Sequence, residues 1–165
     1  MPRHFIILLL VINYTHSHGQ VESSAYNILL KTLLSHSVPE VSVDQISTIE
    51  KCILLDAREY AEYEVSHLEN ARFVGYKNFR IDSLKSLDKG AKILVYCSIG
   101  YRSEKIAEKL RAGGFNDVSN LYGGIFEWIN QGNPIVDSTG RRTDRIHGYT
   151  KTWGIWLDKG DKVYE

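Results

Sequence analysis

One stretch constrains this chain more than any other: Lys92-Ile93-Leu94-Val95-Tyr96-Cys97-Ser98-Ile99-Gly100-Tyr101-Arg102-Ser103. Its first half is apolar at successive positions rather than at alternate ones. A strand with that pattern is covered on both faces, as in a parallel sheet held between helices. The run ends in a cysteine, a small-residue turn follows, and the pattern from Ser103 to about Ala112 predicts a helix with Ile106, Ala107 and Leu110 on one face. Gly113-Gly114 supplies the stop. Cys97 is therefore expected at the C-terminal end of a buried strand, just before a helix N-terminus. Open α/β sheets bind their ligands at that end, and a helix N-terminus offers unpaired N–H donors with about half a positive charge. A thiol so placed is expected to ionise more readily than free cysteine, whose pKa is about 8.5. Cys97 is the candidate nucleophile, set in an anion-binding cradle.

The rest of the chain fits around this stretch. Cys52-Ile53-Leu54-Leu55-Asp56 reads as a second strand buried on both faces, and Ala71–Val74 and Val118–Tyr122 as shorter ones. Val41 begins a short extended piece. Between them the pattern is helical. Ser24 is positioned to cap a helix running through about Ser35, with Ala25, Ile28, Leu29, Thr32 and Leu33 near one face, and Pro39 ends it. Asp44–Ser47 reads as a short helix, Ala57–Val65 as partly helical, and Ile81, Leu84 and Leu87 suit a further helix before the turn at Asp88-Lys89-Gly90. Ile125–Ile129 forms an amphipathic helix ended by Gly132 and Pro134. Alternating strands and helices predict an α/β fold with a mostly parallel sheet and right-handed crossovers. From Ile135 the pattern weakens to an irregular extension, anchored by Trp153 and Trp156.

At 165 residues the chain is long enough for one domain with a substantial core. Twenty basic residues cancel twenty acidic ones, and no basic block stands out, so nothing points to a nucleic-acid surface. At the N-terminus, Arg3 and His4 precede the apolar run Phe5–Ile12, and Thr15, Ser17 and Gly19 follow. That is the layout of a secretory signal cleaved near Gly19-Gln20. The run is too short for a transmembrane helix, which needs about 20 residues. The competing reading is a buried strand or helix of the fold. Residues 1–19 are thus expected to be a signal, 20–38 a helical segment, 39–133 the domain that carries the Cys97 loop and 134–165 an extension packed on it, with the protein secreted or periplasmic.

Export would expose both cysteines to oxidation. Cys52 opens its predicted strand, whereas Cys97 closes its own. Parallel neighbours would separate them by about four residues, or about 13 Å at ~3.3 Å per residue. A disulfide tolerates Cα separations only to ~7 Å, so no bridge is expected and Cys52 is read as a small buried hydrophobe. Asp56 is read as a structural carboxylate pairing with backbone or arginine. Arg58 and Glu62, four residues apart, are read as a local ion pair. His67 is read as a packed turn residue rather than a base. His16 and His18 make a poor metal site with only two imidazoles. Tyr101 either shapes an entrance or is simply exposed.

Three pieces of the sequence resemble the rhodanese family of sulfurtransferases. Leu54-Leu55-Asp56-Ala57-Arg58-Glu59, with Glu62-Tyr63 and His67 following, is similar to the family's first signature. Cys97–Ser103 resembles its active-site loop. Leu121-Tyr122-Gly123-Gly124 with Trp128 resembles its closing signature. Together they cover roughly Val41 to Asn133. Ser66 and Asn70 stand where the family often has glycine, and Ser98 where many thiosulfate-using members carry a basic residue. The resemblance implies a rhodanese-like fold, a five-stranded, mostly parallel sheet flanked by helices. It implies transfer of a sulfane sulfur from a donor such as thiosulfate or polysulfide, through a cysteine persulfide, to a thiol or to cyanide, the usual assay acceptor. A protein acceptor is also compatible with it. It implies no metal and no organic cofactor.

That chemistry divides among the loop residues. Cys97 is the thiolate that attacks the outer sulfur. The backbone N–H groups of Ser98, Ile99, Gly100, Tyr101 and Arg102 are expected to curl around the persulfide like an oxyanion hole. The Arg102 fork suits the oxygens of an anionic donor. Ser103 is expected to cap the helix and offer a hydroxyl. Cysteine-dependent phosphatases place their arginine six positions after the cysteine, and here it is five, so the loop suits a single sulfur better than a phosphate. The alternatives are a non-catalytic partner-binding or sulfur-carrier module and a phosphatase-like enzyme.

Overall fold

The computed structural model describes residues 21–46 and 51–164. The expected signal, His16, His18 and the end of the helix expected over Asp44–Ser47 lie outside the described residues. The first helix, α1 (Ser24–Leu33), begins one residue later than its cap: Ser23, not Ser24, accepts the Tyr26 N–H at its side-chain oxygen. The chain then forms β1 (Glu40–Val41), the single turn α2 (Val43–Ile46), β2 (Ile53–Asp56), α3 (Tyr60–Val65), β3 (Arg72–Phe73) and a 3₁₀ turn at Ile81–Leu84. β4 (Lys92–Tyr96) leads to α4 (Tyr101–Ala112), β5 (Asp117–Leu121) and α5 (Gly124–Asn130).

The five strands form one wholly parallel sheet in the order β1-β5-β4-β2-β3. β4 lies at its centre, and its alternating side chains divide the core. Leu94 and Tyr96 pack into a cluster with Tyr26 and Leu30 of α1 and Ile125, Phe126 and Ile129 of α5. Ile93 and Val95 face the other way, into a cluster with Ile106, Ala107 and Leu110 of α4. Each β4 side chain between Ile93 and Tyr96 is no more than 1% exposed, which is why the run needs no polar positions.

The register also settles the cysteines. Ile53 pairs with Ile93 and Asp56 with Tyr96. Cys52 therefore precedes one end of the ladder and Cys97 follows the other, an offset of five positions, or about 16 Å at ~3.3 Å per residue. Both thiols are free. Cys52 is half-buried rather than enclosed, packed at the margin of the α1–α5 cluster.

The extension is more regular than its sequence suggests. β6 (Ile135–Val136) and β7 (Arg142–Thr143) form an antiparallel pair, and β8 (Arg145–His147) and β9 (Asp161–Val163) a parallel one, with a 3₁₀ turn at Gly154–Trp156 between the latter two. Trp156 stacks on Tyr26 of α1, ring centroids 5.3 Å apart. The Asn130 amide donates to the Trp156 carbonyl at 2.8 Å and accepts from the Asp158 N–H at 2.7 Å. Ile146 and Leu157 join the core. The extension is thereby fastened to both α1 and α5.

Candidate active site

The Cys97 loop owes its shape to two flanking helices. Gly100 occupies the N-cap position of α4 with φ +111°, a conformation that L side chains resist. The helix begins at Tyr101, so Ser103 lies in its first turn and is not its cap. Behind the loop, α5 donates two backbone hydrogen bonds to loop carbonyls: Ile125 N–H to Cys97 O at 2.9 Å and Phe126 N–H to Ser98 O at 3.1 Å. Gly124 makes that approach feasible. Its φ is +60°, and a Cβ there would fall 2.4 Å from the Cys97 carbonyl oxygen. With its carbonyls held by α5, the loop turns a backbone N–H toward the thiol. The Gly100 N–H donates to Cys97 Sγ at 3.2 Å. The N–H groups of Tyr101, Arg102 and Ser103 open α4, where a helix leaves donors without intrahelical partners.

Asn120, at the end of β5, completes the brace. Its amide nitrogen donates to the Gly100 carbonyl at 3.0 Å, and its oxygen accepts the Ser103 hydroxyl at 2.7 Å. The Ser103 hydroxyl is thus used to lock α4 to the sheet. Nothing in the sequence singled out Asn120, one of three polar residues in a five-residue strand.

Two carboxylate–guanidinium pairs lie beneath and beside the loop. Arg58 pairs with Asp56, Nη2 to Oδ2 at 2.7 Å and Nε to Oδ1 at 3.0 Å, and its Nη2 also donates to the Ser66 carbonyl. Asp56 is the structural carboxylate the sequence suggested. Glu62, however, does not pair with Arg58. Arg58 precedes α3, which starts at Tyr60, so the helical four-residue spacing does not apply to it. Glu62 instead receives both arms of Arg102, Nη1 at 2.6 Å and Nη2 at 2.8 Å, together with the Ser98 hydroxyl at 3.0 Å and the Glu59 N–H at 2.9 Å. Burial alone would raise the Glu62 carboxyl, but the hydrogen bonds and charge of Arg102 outweigh it and hold it below the usual glutamate range. Burial likewise opposes the Arg102 charge, and the Glu62 hydrogen bonds, followed by the negative charge of Cys97, raise its pKa instead.

Arg102 is therefore not a free fork awaiting a donor. Its Nη2 also reaches Ser98 Oγ at 2.9 Å, and the Tyr149 ring lies over its guanidinium carbon at 4.7 Å. It braces the loop and projects charge toward Cys97. His67 is packed as expected, stacked on Tyr63 at 3.9 Å and bonded through Nδ1 to the Tyr63 carbonyl. Asn70 has φ +63°, in the left-handed region that asparagine tolerates better than most side chains.

Cys97 is 1% exposed and is reached through a cavity of about 320 Å³. Ser98, Ile99, Tyr101 and Arg102 share its wall with Glu59, Tyr76 and Lys77. Tyr101, 40% exposed, does shape the entrance. Leu33 of α1 and Tyr149 and Trp153 of the extension complete it. Both tryptophans read as anchors pack against the core, and Trp153 also faces the cavity. Among the described residues, no cluster of three or more His, Cys, Asp or Glu side chains is arranged to hold a metal ion, and no helix is long and apolar enough to cross a membrane.

Comparison with known proteins agrees with this geometry. A tRNA uridine(34) hydroxylase from Enterobacter is 36% identical over 92 residues, half of this chain and 26% of that protein. The chain spans about a quarter of the length of the curated relatives it matches. Among solved structures, a Bacillus halodurans protein is 27% identical with a TM-score of 0.56, covering 70% of this chain and 86% of that one. A thiosulfate sulfurtransferase from Pseudomonas aeruginosa shares the fold at 20% identity and a TM-score of 0.55, covering 78% of this chain and 25% of that one. The rhodanese-like domain family model matches residues 41–131, which hold the parallel sheet except Glu40, the Cys97 loop and both of its bracing helices, and the chain belongs to that family.

Proposed function

We propose that the protein is a sulfurtransferase that carries a sulfane sulfur on Cys97 as a persulfide. The observation that supports this most is the cradle: Sγ at the floor of a cavity, an N–H aimed at it from Gly100, and the first turn of α4 behind it. The Cys97 thiolate attacks the outer sulfur of the donor. The bond from that sulfur to the rest of the donor breaks, and its electron pair leaves with the donor remnant, sulfite in the case of thiosulfate. The persulfide anion is then stabilised by the N–H donors and by the nearby Arg102 charge, which need not reorganise as the negative charge moves out by one atom. An acceptor thiolate or cyanide takes the outer sulfur, and the electron pair returns to Sγ.

Arg102 stands five positions after Cys97, and its side chain is already spent on Glu62, so a phosphate would find no free guanidinium there. That favours sulfur over phosphoryl chemistry. The test is a thiosulfate:cyanide assay on the wild type and on Cys97→Ser, with an aryl phosphate as control. Cysteine-dependent sulfur transfer without phosphatase activity is expected, and cysteine-dependent phosphate hydrolysis would overturn the reading. The hydroxylase activity of the longer relatives is not carried over, because the match covers only a quarter of those proteins. We read residues 1–19 as a cleavable export signal, so that mature protein from the native host begins near Gln20. N-terminal sequencing checks this, and an intact Met1 in a cytosolic fraction would refute it.

A further inference from the structure

We propose that the cavity above Cys97 is a binding site for a low-molecular-weight organic thiol with an aromatic or similarly flat apolar body, which exchanges the sulfane sulfur with Cys97. The inference rests on the sulfurtransferase reading and names the acceptor class for that same site.

Size is the first argument. Cyanide or a bare sulfur needs little room, whereas about 320 Å³ falls within the range of pockets that enclose small organic molecules, ~300–1,000 Å³. Wall chemistry is the second. Leu33, Tyr76, Ile99, Tyr101, Tyr149 and Trp153 present apolar and aromatic surface. Arg102 and Ser98 are committed to Glu62 and to each other. The other charged groups on the wall are Glu59 and Lys77, which are of opposite sign and give no net attraction for a small dianion.

The third argument is where the aromatic wall comes from. Leu33, Tyr149 and Trp153 lie outside residues 41–131, the segment that matches the family. They are what this chain adds to the shared module. The added wall is also held in place before any ligand arrives. The Tyr149 N–H donates to His147 Nδ1 at 3.0 Å, and its ring rests on Arg102. Trp153 sits three residues from Trp156, which is stacked on Tyr26. A preorganised wall loses little freedom on binding.

The exchange balances without another reagent. The acceptor thiolate attacks the outer sulfur of the Cys97 persulfide, the bond between that sulfur and Sγ breaks, and its electron pair returns to Sγ as thiolate. The acceptor leaves as its own persulfide. In reverse, the same site loads Cys97 from an organic persulfide.

The test uses the full chain, loaded with thiosulfate and discharged by cyanide, by mercaptoethanol or by phenylmethanethiol, two thiols of similar acidity and hence similar intrinsic nucleophilicity. At least tenfold higher kcat/KM is expected for phenylmethanethiol than for mercaptoethanol. Trp153→Ala should bring that ratio to within about threefold of unity, and Trp153→Phe should retain most of it. Tyr149→Asn, which suits the positive φ of +63° at that position, should lower the ratio in the same direction and serves if Trp153→Ala does not fold. Loading and cyanide discharge without aromatic preference in the wild type would overturn this inference and leave the sulfurtransferase reading standing. Equal losses for both thiols in the variants would also overturn it. Failure of the wild type to load, or to discharge to cyanide, would remove both.

Discussion

The two arginine–carboxylate pairs differ in what surrounds them, and that difference separates structure from function in this molecule. Arg58 and Asp56 are both 0% exposed and sit at the C-terminal end of β2, where the guanidinium also holds the Ser66 carbonyl. Arg102 and Glu62 also make a bidentate contact, through both Nη atoms, with Arg102 on the cavity wall beside Cys97 and under the Tyr149 ring. The first pair ties the end of β2 to the turn after α3. The second ties α3 to the Cys97 loop. The same pair of groups thus ties fold elements together in one place and shapes the wall of the Cys97 cavity in the other.

The sharpest way to break this comparison is to remove one partner from each pair. Arg58→Leu leaves Asp56 charged and enclosed. Removing one member of a buried pair typically costs about 3–5 kcal/mol, so urea unfolding should show a loss of that order and poor expression. If Arg58→Leu is instead as stable as the wild type, the structural role fails.

Arg102→Ala should cost less stability, because its site opens onto the cavity and water can reach Glu62, but it should lower kcat by tenfold or more. Since Arg102 does not reach donor oxygens in this arrangement, thiosulfate and a neutral organic polysulfide should lose rate in similar proportion, with KM little changed. Arg102→Lys should recover little, because a single ammonium cannot serve both Glu62 oxygens and Ser98. A loss confined to thiosulfate would show that Arg102 swings free to bind the donor.

Acid titration sharpens the same contrast. Glu62 has its carboxyl held below the ordinary value of about 4.5. A depressed carboxyl contributes stability that is present above the unfolded value and is lost as pH falls through the folded one. The Tm difference between wild type and Glu62→Gln should therefore be constant above about pH 5 and shrink below about pH 4.5. A difference that persists unchanged at lower pH would contradict an ionised Glu62. The smallest effect should come from Cys52→Ser at the margin of the core, with activity retained and stability lowered by about 1 kcal/mol or less.

The central strands were legible because Ile53–Asp56 and Lys92–Tyr96 are compact apolar runs between turn signals, whereas Asp117–Leu121 is mostly polar and was marked only by Val118, Leu121 and the flanking glycine turns. Cys97, Gly100 and the helix after them were legible for the same local reason. The partners of the charged groups were not. Spacing suggested Arg58 with Glu62, and only the placement of Arg58 ahead of α3 reassigns it. Asn120 and Gly124 act on the loop from other elements, through contacts that no local pattern encodes. The extension escaped notice because β6 to β9 are two or three residues each, shorter than any period can reveal, and because Tyr149 and Trp153 act by reaching across to a loop some fifty residues earlier.

The most direct test of the account is the intact mass of the purified protein. After incubation with thiosulfate and removal of excess reagent, the wild type should gain the mass of one sulfur atom, and cyanide should remove it with formation of thiocyanate. Cys52→Ser should behave identically, and Cys97→Ser should gain nothing. A sulfur adduct that survives in Cys97→Ser, or a wild type that never acquires one from thiosulfate or from an organic persulfide, would contradict transfer through Cys97.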